Sequence, residues 1–167
     1  MERVLVTGAG GYIGTALVPM LLAEGYEVRA LDRLFFGRHL LPDHERLELI
    51  RADSRRLEPA HLEGVDHVID LVAISNDPSG ELFREATYQI NHESRVRCAT
   101  LAKAAGVKRY VLPSSCSIYG FQHAAVRCDE TCKTNPLTTY AKANEMAERD
   151  ILPLADDNFC VVVLRQA

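Results

Sequence analysis

The sequence contains no tryptophan and few aromatic residues, with Phe and Tyr together making up 7% of its 167 residues. It also lacks an excess of basic residues, because 19 Lys and Arg stand against 23 Asp and Glu, for a formal net charge of −4. A protein without a broad positive field cannot hold a phosphate backbone by charge alone. We therefore expect no nucleic acid among its partners.

Long apolar runs are absent as well. No stretch approaches the roughly 18 residues that cross a bilayer, and a strand-like pattern begins at Arg3 without a basic and apolar leader. We expect a cytoplasmic protein that makes no contact with a membrane. A chain of about 150 residues buries a core of ordinary size, so residues 1–167 are predicted to form one domain.

The five cysteines form no CxxC pair. They are Cys98, Cys116, Cys128, Cys132 and Cys160. An odd number in a chain that is neither small nor secreted indicates reduced thiols rather than disulfides. Thiolate and imidazole groups suit zinc, and His123 lies near Cys128 and Cys132. Because a second pair of ligands is lacking, we favour a polar loop there and predict no metal.

Apolar runs of strand length alternate with helical stretches along the whole chain. The predicted strands are Arg3–Thr7, Glu27–Leu31, Leu47–Arg51, His67–Ala73, Arg109–Pro113 and Phe159–Arg165, and the predicted helices are Tyr12–Glu24, Glu81–Ala105 and Thr138–Leu154. Nearly continuous apolar runs are typical of strands covered on both faces. Right-handed crossovers then predict an α/β fold with a doubly wound parallel sheet, a Rossmann-type three-layer α/β/α architecture.

A glycine-rich segment, TGAGGYIG at residues 7–14, follows the first predicted strand and opens the first helix. Gly8 permits a sharp turn, Gly11 lets the backbone approach a pyrophosphate, and Gly14 lets the helix pack against the strand. The free amides of the helix N-terminus favour negative charge. This strand–loop–helix context predicts a dinucleotide site.

Asp32 ends the second predicted strand, eighteen residues after Gly14. An acidic residue about twenty residues after such a loop accepts the ribose 2′-hydroxyl of NAD and repels a 2′-phosphate. NAD is therefore the favoured cofactor. The adjacent Arg33 could bind a 2′-phosphate, so NADP remains the less favoured alternative.

Four stretches together resemble the extended short-chain dehydrogenase/reductase family, and within it the NAD-dependent epimerases and dehydratases of nucleotide sugars. They are TGAGGYIG at 7–14, Ala52-Asp53, LVAISNDP at 71–78, and SSCSIYG at 114–120 followed by Tyr140. The resemblance implies an enzyme that acts on a nucleotide sugar by transient hydride transfer. It also implies a C-terminal substrate-binding part that this chain lacks.

The resemblance assigns roles along the whole edge of the predicted sheet. The implied cofactor-binding residues are Gly8, Gly11, Tyr12, Ile13, Gly14, Asp32, Arg33, Asp53, Ser54, Leu71, Val72, Ala73, Asn91, Tyr140 and Asn144. The implied catalytic pair is Ser115 and Tyr140, and the implied substrate contacts are Ser75, Asn76 and Ser117. For Ser115 the alternative is a hydroxyl that hydrogen-bonds its own backbone.

In one position the sequence departs from the family. The resemblance implies a lysine four residues after Tyr140, where its charge favours the phenolate and its amine holds the nicotinamide ribose. This sequence has Asn144 there. Lys142 lies about 200° around the helix from Tyr140 and cannot replace that lysine. The sequence thus leaves two interpretations open: an enzyme of this family, or a weakly active or inactive NAD(P)-binding module that serves as a sensor or scaffold.

The resemblance further implies a homodimer through the two long helices, Glu81–Ala105 and Thr138–Leu154. Met146, Ala143 and Ala147 beside Ile151 are compatible with an apolar outward face. The alternative is that this stripe covers the sheet.

Overall fold

The computed structural model describes residues 1–122 and 127–167, and in these ranges six strands form one parallel sheet. They are β1 (Arg3–Thr7), β2 (Glu27–Asp32), β3 (Leu47–Arg51), β4 (His67–Asp70), β5 (Arg109–Ser115) and β6 (Cys160–Gln166). Their order is β3-β2-β1-β4-β5-β6. The chain reverses its direction of travel between β1 and β4, which confirms the predicted doubly wound sheet.

Helices pack on both faces of this sheet. They are α1 (Tyr12–Ala23), α2 (Asp77–Leu82), α3 (Arg84–Tyr88), α4 (Ser94–Ala104) and α5 (Thr139–Ile151), with a π-helical turn at Gln89–Glu93 between α3 and α4. Leu5 of β1 packs in a core with Ala99 of α4 and Ala147 of α5. Its neighbour Val6 packs on the opposite face with Val18 of α1. This alternation produces the three layers. In the described part of the chain, no helix combines the length and the apolar character that a bilayer crossing requires.

β4 ends at Asp70, three residues before the predicted end at Ala73. After Leu71, whose amide donates to Thr7 O at 3.1 Å, the main chain leaves the sheet. Side chains from the following helical segment then bind the backbone of Val72 and Ile74. These bonds satisfy the carbonyl of Val72 and both polar groups of Ile74 where the main chain has left the sheet.

The single long helix predicted over Glu81–Ala105 is wrong in detail. The helical segment begins earlier, at Asp77, and breaks at Phe83, where φ is −119° and ψ is 51°. The π turn interrupts it a second time before α4. The predicted helix Thr138–Leu154 is observed as α5 followed by a 3₁₀ turn at Leu152–Leu154.

The proposed apolar outward stripe on α5 is wrong for three of its four residues, whereas Met146 is half-buried. Ala143, Ala147 and Ile151 are all fully buried within this chain, and Ala147 and Ile151 belong to the core beneath the sheet. For these residues the alternative interpretation, a stripe that covers the sheet, is correct.

Candidate functional site

A cavity of about 320 Å³ opens at the carboxyl ends of the central strands. Its walls include many of the predicted cofactor residues, namely Gly8, Gly11, Asp32, Arg33, Asp53, Ser54, Leu71, Val72 and Ala73. Further wall residues, to which the sequence assigned no cofactor contact, are Phe35, Phe36, Ala52, Ile74 and Ile90. The cavity lies at the point where strand order reverses, which is where doubly wound sheets bind ligands.

The glycine loop brings main chain against main chain at one side of the cavity. Gly8 has φ +68°, and a Cβ there would lie 2.9 Å from the backbone of Leu71 and Val72. A Cβ on Gly14 would lie 2.5 Å from the carbonyl oxygen of Ala9. Both positions therefore require glycine, one for its conformation and its close contact, the other for the contact alone.

Helix α1 begins directly after this loop, with Gly11 as N-cap and no acidic residue in its first turn. Its first amides have no intrahelical acceptor, so the helix end favours an anion. The side chains of Tyr12 and Ile13 are exposed and lie outside the cavity. Any contribution of these two residues to cofactor binding would come from the backbone.

Asp32 joins the end of β2 to the glycine loop. Its carboxylate accepts the amide of Gly10 at 3.1 Å and the amide of Leu34 at 2.6 Å. Two oxygens offer about four acceptor positions, so a carboxylate held in this way can still accept hydroxyls of a ribose. These two bonds fix its orientation before any ligand arrives.

Arg33 already has partners on its own chain. Its Nη1 lies 3.4 Å from Asp53 Oδ2, and its guanidinium lies 4.3 Å from the centre of the Phe35 ring. Asp53 also accepts from Arg55 at 2.6 Å, and this bond lowers the pKa of the Asp53 carboxyl to about 2. A guanidinium paired with a carboxylate is a weaker site for a 2′-phosphate, so this arrangement favours NAD over NADP.

The two serines at the end of β5 have different partners. Ser114 donates to the buried carboxylate of Glu148. Ser115 Oγ accepts from the amide of Ser117 at 3.2 Å and from its hydroxyl at 2.9 Å. The local backbone bond considered as the alternative for Ser115 therefore exists, but its hydroxyl hydrogen remains available to donate. Ser115 is thus the serine that can serve a ligand.

Tyr140 lies in the first turn of α5, and α2 sets its position. Thr138 caps α5 and donates to Asp77 Oδ1 at 2.6 Å, while the amide of Thr139 donates to Glu81 Oε1 at 2.6 Å. A Cβ on Gly80 would lie 3.1 Å from Tyr140 Cβ, so glycine allows this close approach. The role of α2 was not among the predictions from the sequence; the glycine within a helical segment was the available signal.

The two predicted substrate contacts next to α2, Ser75 and Asn76, differ in whether they already have a hydrogen-bond partner. Asn76 accepts the amide of Ser79 at 2.9 Å and serves as the N-cap of α2. Ser75 is exposed beside it. Asn76 therefore already has a structural role, whereas Ser75 is open to a ligand.

Asn91 and Asn144 are buried and bind main chain. Asn91 holds both polar groups of Ile74, and Asn144 Nδ2 donates to the carbonyl oxygen of Tyr140 at 2.9 Å. Asn144 Oδ1 accepts from Arg95 Nη1 at 2.7 Å. Arg95 was not among the residues predicted from the sequence, although it lies one helical turn after Asn91.

A zinc site receives no support from the described residues. Within 1–122 and 127–167, no three His, Cys, Asp or Glu side chains converge as a metal would require. His123, one of the residues considered as a ligand, lies outside the described residues.

Comparison with known proteins gives consistent matches. A sequence model of the NAD dependent epimerase/dehydratase family matches residues 4–167. A 3-beta-hydroxysteroid dehydrogenase of Mycolicibacterium neoaurum is 32% identical over 91% of this chain and 43% of its own length. UDP-arabinose 4-epimerase 1 of Arabidopsis thaliana is 32% identical over 99% of this chain and 42% of its own length.

Among solved structures, the UDP-glucose 4-epimerase of Thermus thermophilus in complex with NAD superimposes with a TM-score of 0.86 at 27% identity. The match covers 98% of this chain and 54% of that chain. The predicted family and fold are thereby confirmed, and NAD is the cofactor of this neighbour. The chain spans about half the length of the relatives it matches.

Proposed function

The chain belongs to the NAD-dependent epimerase/dehydratase family, and from that premise we propose that it forms the NAD-binding part of an enzyme acting on a nucleotide sugar. The reaction class is epimerisation or dehydration through transient hydride transfer. The observation that carries the proposal is the cavity at the strand ends, where the glycine loop, Asp32 and the Leu71–Ala73 segment form one continuous wall.

Different residues of the cavity would bind different parts of the cofactor. The glycine loop and the N-terminus of α1 would bind the pyrophosphate, because free amides favour an anion there. Asp32 would accept the adenosine ribose hydroxyls, and Asp53 with Ser54 would lie at the adenine. When bound, NAD supplies a nicotinamide ring that accepts and returns a hydride.

Tyr140 and Ser115 would act on the sugar. Tyr140 would take a proton from a sugar hydroxyl, and Ser115 would donate a hydrogen bond to the same oxygen. Within the described residues the Tyr140 hydroxyl makes no hydrogen bond, and Ser115 keeps its donor hydrogen. Both groups are therefore available to a substrate.

A non-catalytic NAD(P)-binding module, the alternative from the sequence, is less favoured, because the relatives named above are enzymes. The substrate class is the finer part of the proposal. One relative is named for a hydroxysteroid and the other for a UDP-sugar. We favour the nucleotide sugar because of the SSCSIYG segment and Tyr140, whose resemblance is to nucleotide-sugar enzymes.

The first test is calorimetric titration of this chain with NAD⁺ and NADP⁺. We expect NAD⁺ to bind more tightly, and Asp32→Ala to abolish that preference because the 2′-hydroxyl loses its acceptor. Asp43→Ala is the matched control, since this carboxylate is exposed and lies outside the cavity. If the unchanged chain bound neither nucleotide, the proposal would be overturned.

The second test addresses the substrate. A longer chain that includes the C-terminal substrate-binding part implied by the resemblance is loaded with NAD and mixed with UDP-glucose or with a 3β-hydroxysteroid, and the absorbance of the reduced cofactor is followed. We expect reduction with the nucleotide sugar, and its loss in Tyr140→Phe. Reduction with the steroid alone would replace the proposed substrate class.

The homodimer and the cytoplasmic location remain predictions. A polar contact joins the π turn to α5, where His92 pairs with Asp150 at 2.7 Å. Light scattering during size-exclusion chromatography would measure the mass directly, and a monomeric mass at all concentrations would contradict the dimer.

A further inference from the structure

Arg95 is a buried guanidinium at the boundary between the sheet and α5, with only 2% of its surface exposed. Its Nε donates to Val72 O at 3.2 Å and its Nη1 to Asn144 Oδ1 at 2.7 Å. Both acceptors are uncharged. Within the described residues, Arg95 forms no salt bridge and its Nη2 donates no hydrogen bond. A buried charge without a bonded counter-charge costs stability, so its presence calls for a reason.

The buried carboxylate of the same layer does not pair with it. Asp70 is bound by the hydroxyl of Thr7 and by that of Tyr110 at 2.6 Å. Burial and the charge of Asp70 raise the pKa of Tyr110, while the charge of Arg95 acts in the opposite direction. Arg95 therefore lies close enough to influence the pKa of Tyr110. The carboxylate of Asp70, however, already has two other hydrogen-bond partners.

The two acceptors of Arg95 connect it to the cavity and to the helix that carries Tyr140. Val72 lines the cavity. Asn144 stands four residues after Tyr140 on α5 and donates back to Tyr140 O at 2.9 Å. The guanidinium therefore binds the backbone of one cavity residue and the side chain at the position where the family resemblance implies a lysine.

We propose that Arg95 supplies, through Asn144, the fixed positive charge that a lysine at position 144 would otherwise bring to this site. The inference rests on the proposed function, because it assigns the charge to the nicotinamide end of that site. Arg95 is a positioning residue here: it acts through Asn144 and the Val72 carbonyl. A guanidinium keeps its charge at every physiological pH, so the site would hold one permanent cation.

The geometry allows one cation at this place and not two. A lysine at position 144 beside Arg95 would put two positive charges in a buried contact where 2.7 Å now separates Arg95 from a neutral oxygen. Like charges in a buried contact repel strongly. The two positions should therefore be alternative sources of the same charge.

The test compares NAD⁺ with NADH. The oxidised nicotinamide ring is positively charged and the reduced ring is neutral, so a fixed cation favours NADH. We expect Arg95→Met to shift the ratio of the two dissociation constants toward NAD⁺ by about tenfold. Arg95→Lys should keep the original ratio, and Arg95→Met with Asn144→Lys should restore it. The matched control is Arg97→Met, because Arg97 is an exposed arginine of α4 that also donates to a backbone carbonyl.

The melting temperature measured without nucleotide is a second test. Asn144→Lys alone should melt well below the unchanged chain, and adding Arg95→Met should recover much of the loss. A ratio of dissociation constants that does not move in Arg95→Met, while both nucleotides still bind, would overturn the inference and leave the proposed function standing. An unchanged chain that binds neither nucleotide would overturn both.

Discussion

The side-chain amide of Asn91 binds both polar groups of the Ile74 backbone. Its Oδ1 accepts from Ile74 N at 2.8 Å and its Nδ2 donates to Ile74 O at 2.9 Å. The asparagine thus takes the place of a neighbouring strand for Ile74, which itself lines the cavity. It ties the helical segment to the end of β4.

Replacing Asn91 by alanine removes both bonds and leaves two main-chain groups without partners. We expect the free energy of unfolding to fall by about 2 kcal/mol, measured by urea denaturation. Asn158→Ala, at an exposed asparagine, should change it by no more than about 0.5 kcal/mol. Equal losses in the two variants would contradict the structural role of Asn91.

Gly14→Ala tests the close packing of α1 on the glycine loop. The new Cβ would lie 2.5 Å from Ala9 O, and both the helix and the loop would have to shift. Gly106→Ala is the control: its Cβ meets nothing within 4 Å, so only its φ of +80° opposes the change. A left-handed alanine costs about 1 kcal/mol.

We expect Gly14→Ala to lose more stability than this control, measured by thermal unfolding. It should also lose NAD⁺ binding, measured by calorimetry. An equal loss of stability in both variants would show that the contact with Ala9 is not limiting.

The pairing of Arg33 with Asp53 predicts a change of cofactor preference. Asp53→Asn removes the negative charge that neutralises Arg33, which then becomes available to a 2′-phosphate. A partly exposed ion pair is worth up to about 1 kcal/mol. We therefore expect NADP⁺ to bind roughly fivefold more tightly in Asp53→Asn. Adding Arg33→Ala should remove the gain; a gain that persisted would need another source.

Acid should weaken the contact between the π turn and α5. Hydrogen bonds from Arg149 and then from His92 lower the pKa of Asp150 from 3.8 to about 2. A carboxyl with a lower pKa in the folded state stabilises the protein above its unfolded pKa, and this contribution is lost as the pH falls through the folded value.

The melting temperature should therefore fall between about pH 4 and pH 2, and less steeply in Asp150→Asn. Asp157→Asn, at an exposed residue for which no pairing is described, serves as the control. Identical pH profiles for the unchanged chain and Asp150→Asn would contradict this account.

The parts of the molecule that local sequence rules govern were predictable. The glycine loop, Asp32 and the strand–helix alternation follow from backbone sterics and from apolar periodicity, which act within a few residues. Gly8 and Asp32 accordingly lie where they were expected, in one cavity.

Contacts between distant segments were not predictable. The apolar run Leu71–Ala73 was assigned to a strand, because nothing in it shows that side chains 17 and 23 residues away would bind the backbone at Ile74 and Val72. The contacts of Arg95 were not predictable either, because in the sequence it is one of several arginines on a helix. Its importance arises only where α4 meets α5.

The π turn at Gln89–Glu93 determines where the side chains of this region lie. Such a turn accommodates one extra residue in the helical path. Because the turn absorbs that residue locally, removing a single residue there would restore the ordinary helical pitch with α4 still in place. The bond from Arg95 to Val72 would survive this change, whereas the bonds of Asn91 to Ile74 would not, because Asn91 lies inside the turn. The turn therefore directs Asn91 at the main chain beyond β4 without displacing the helix that follows.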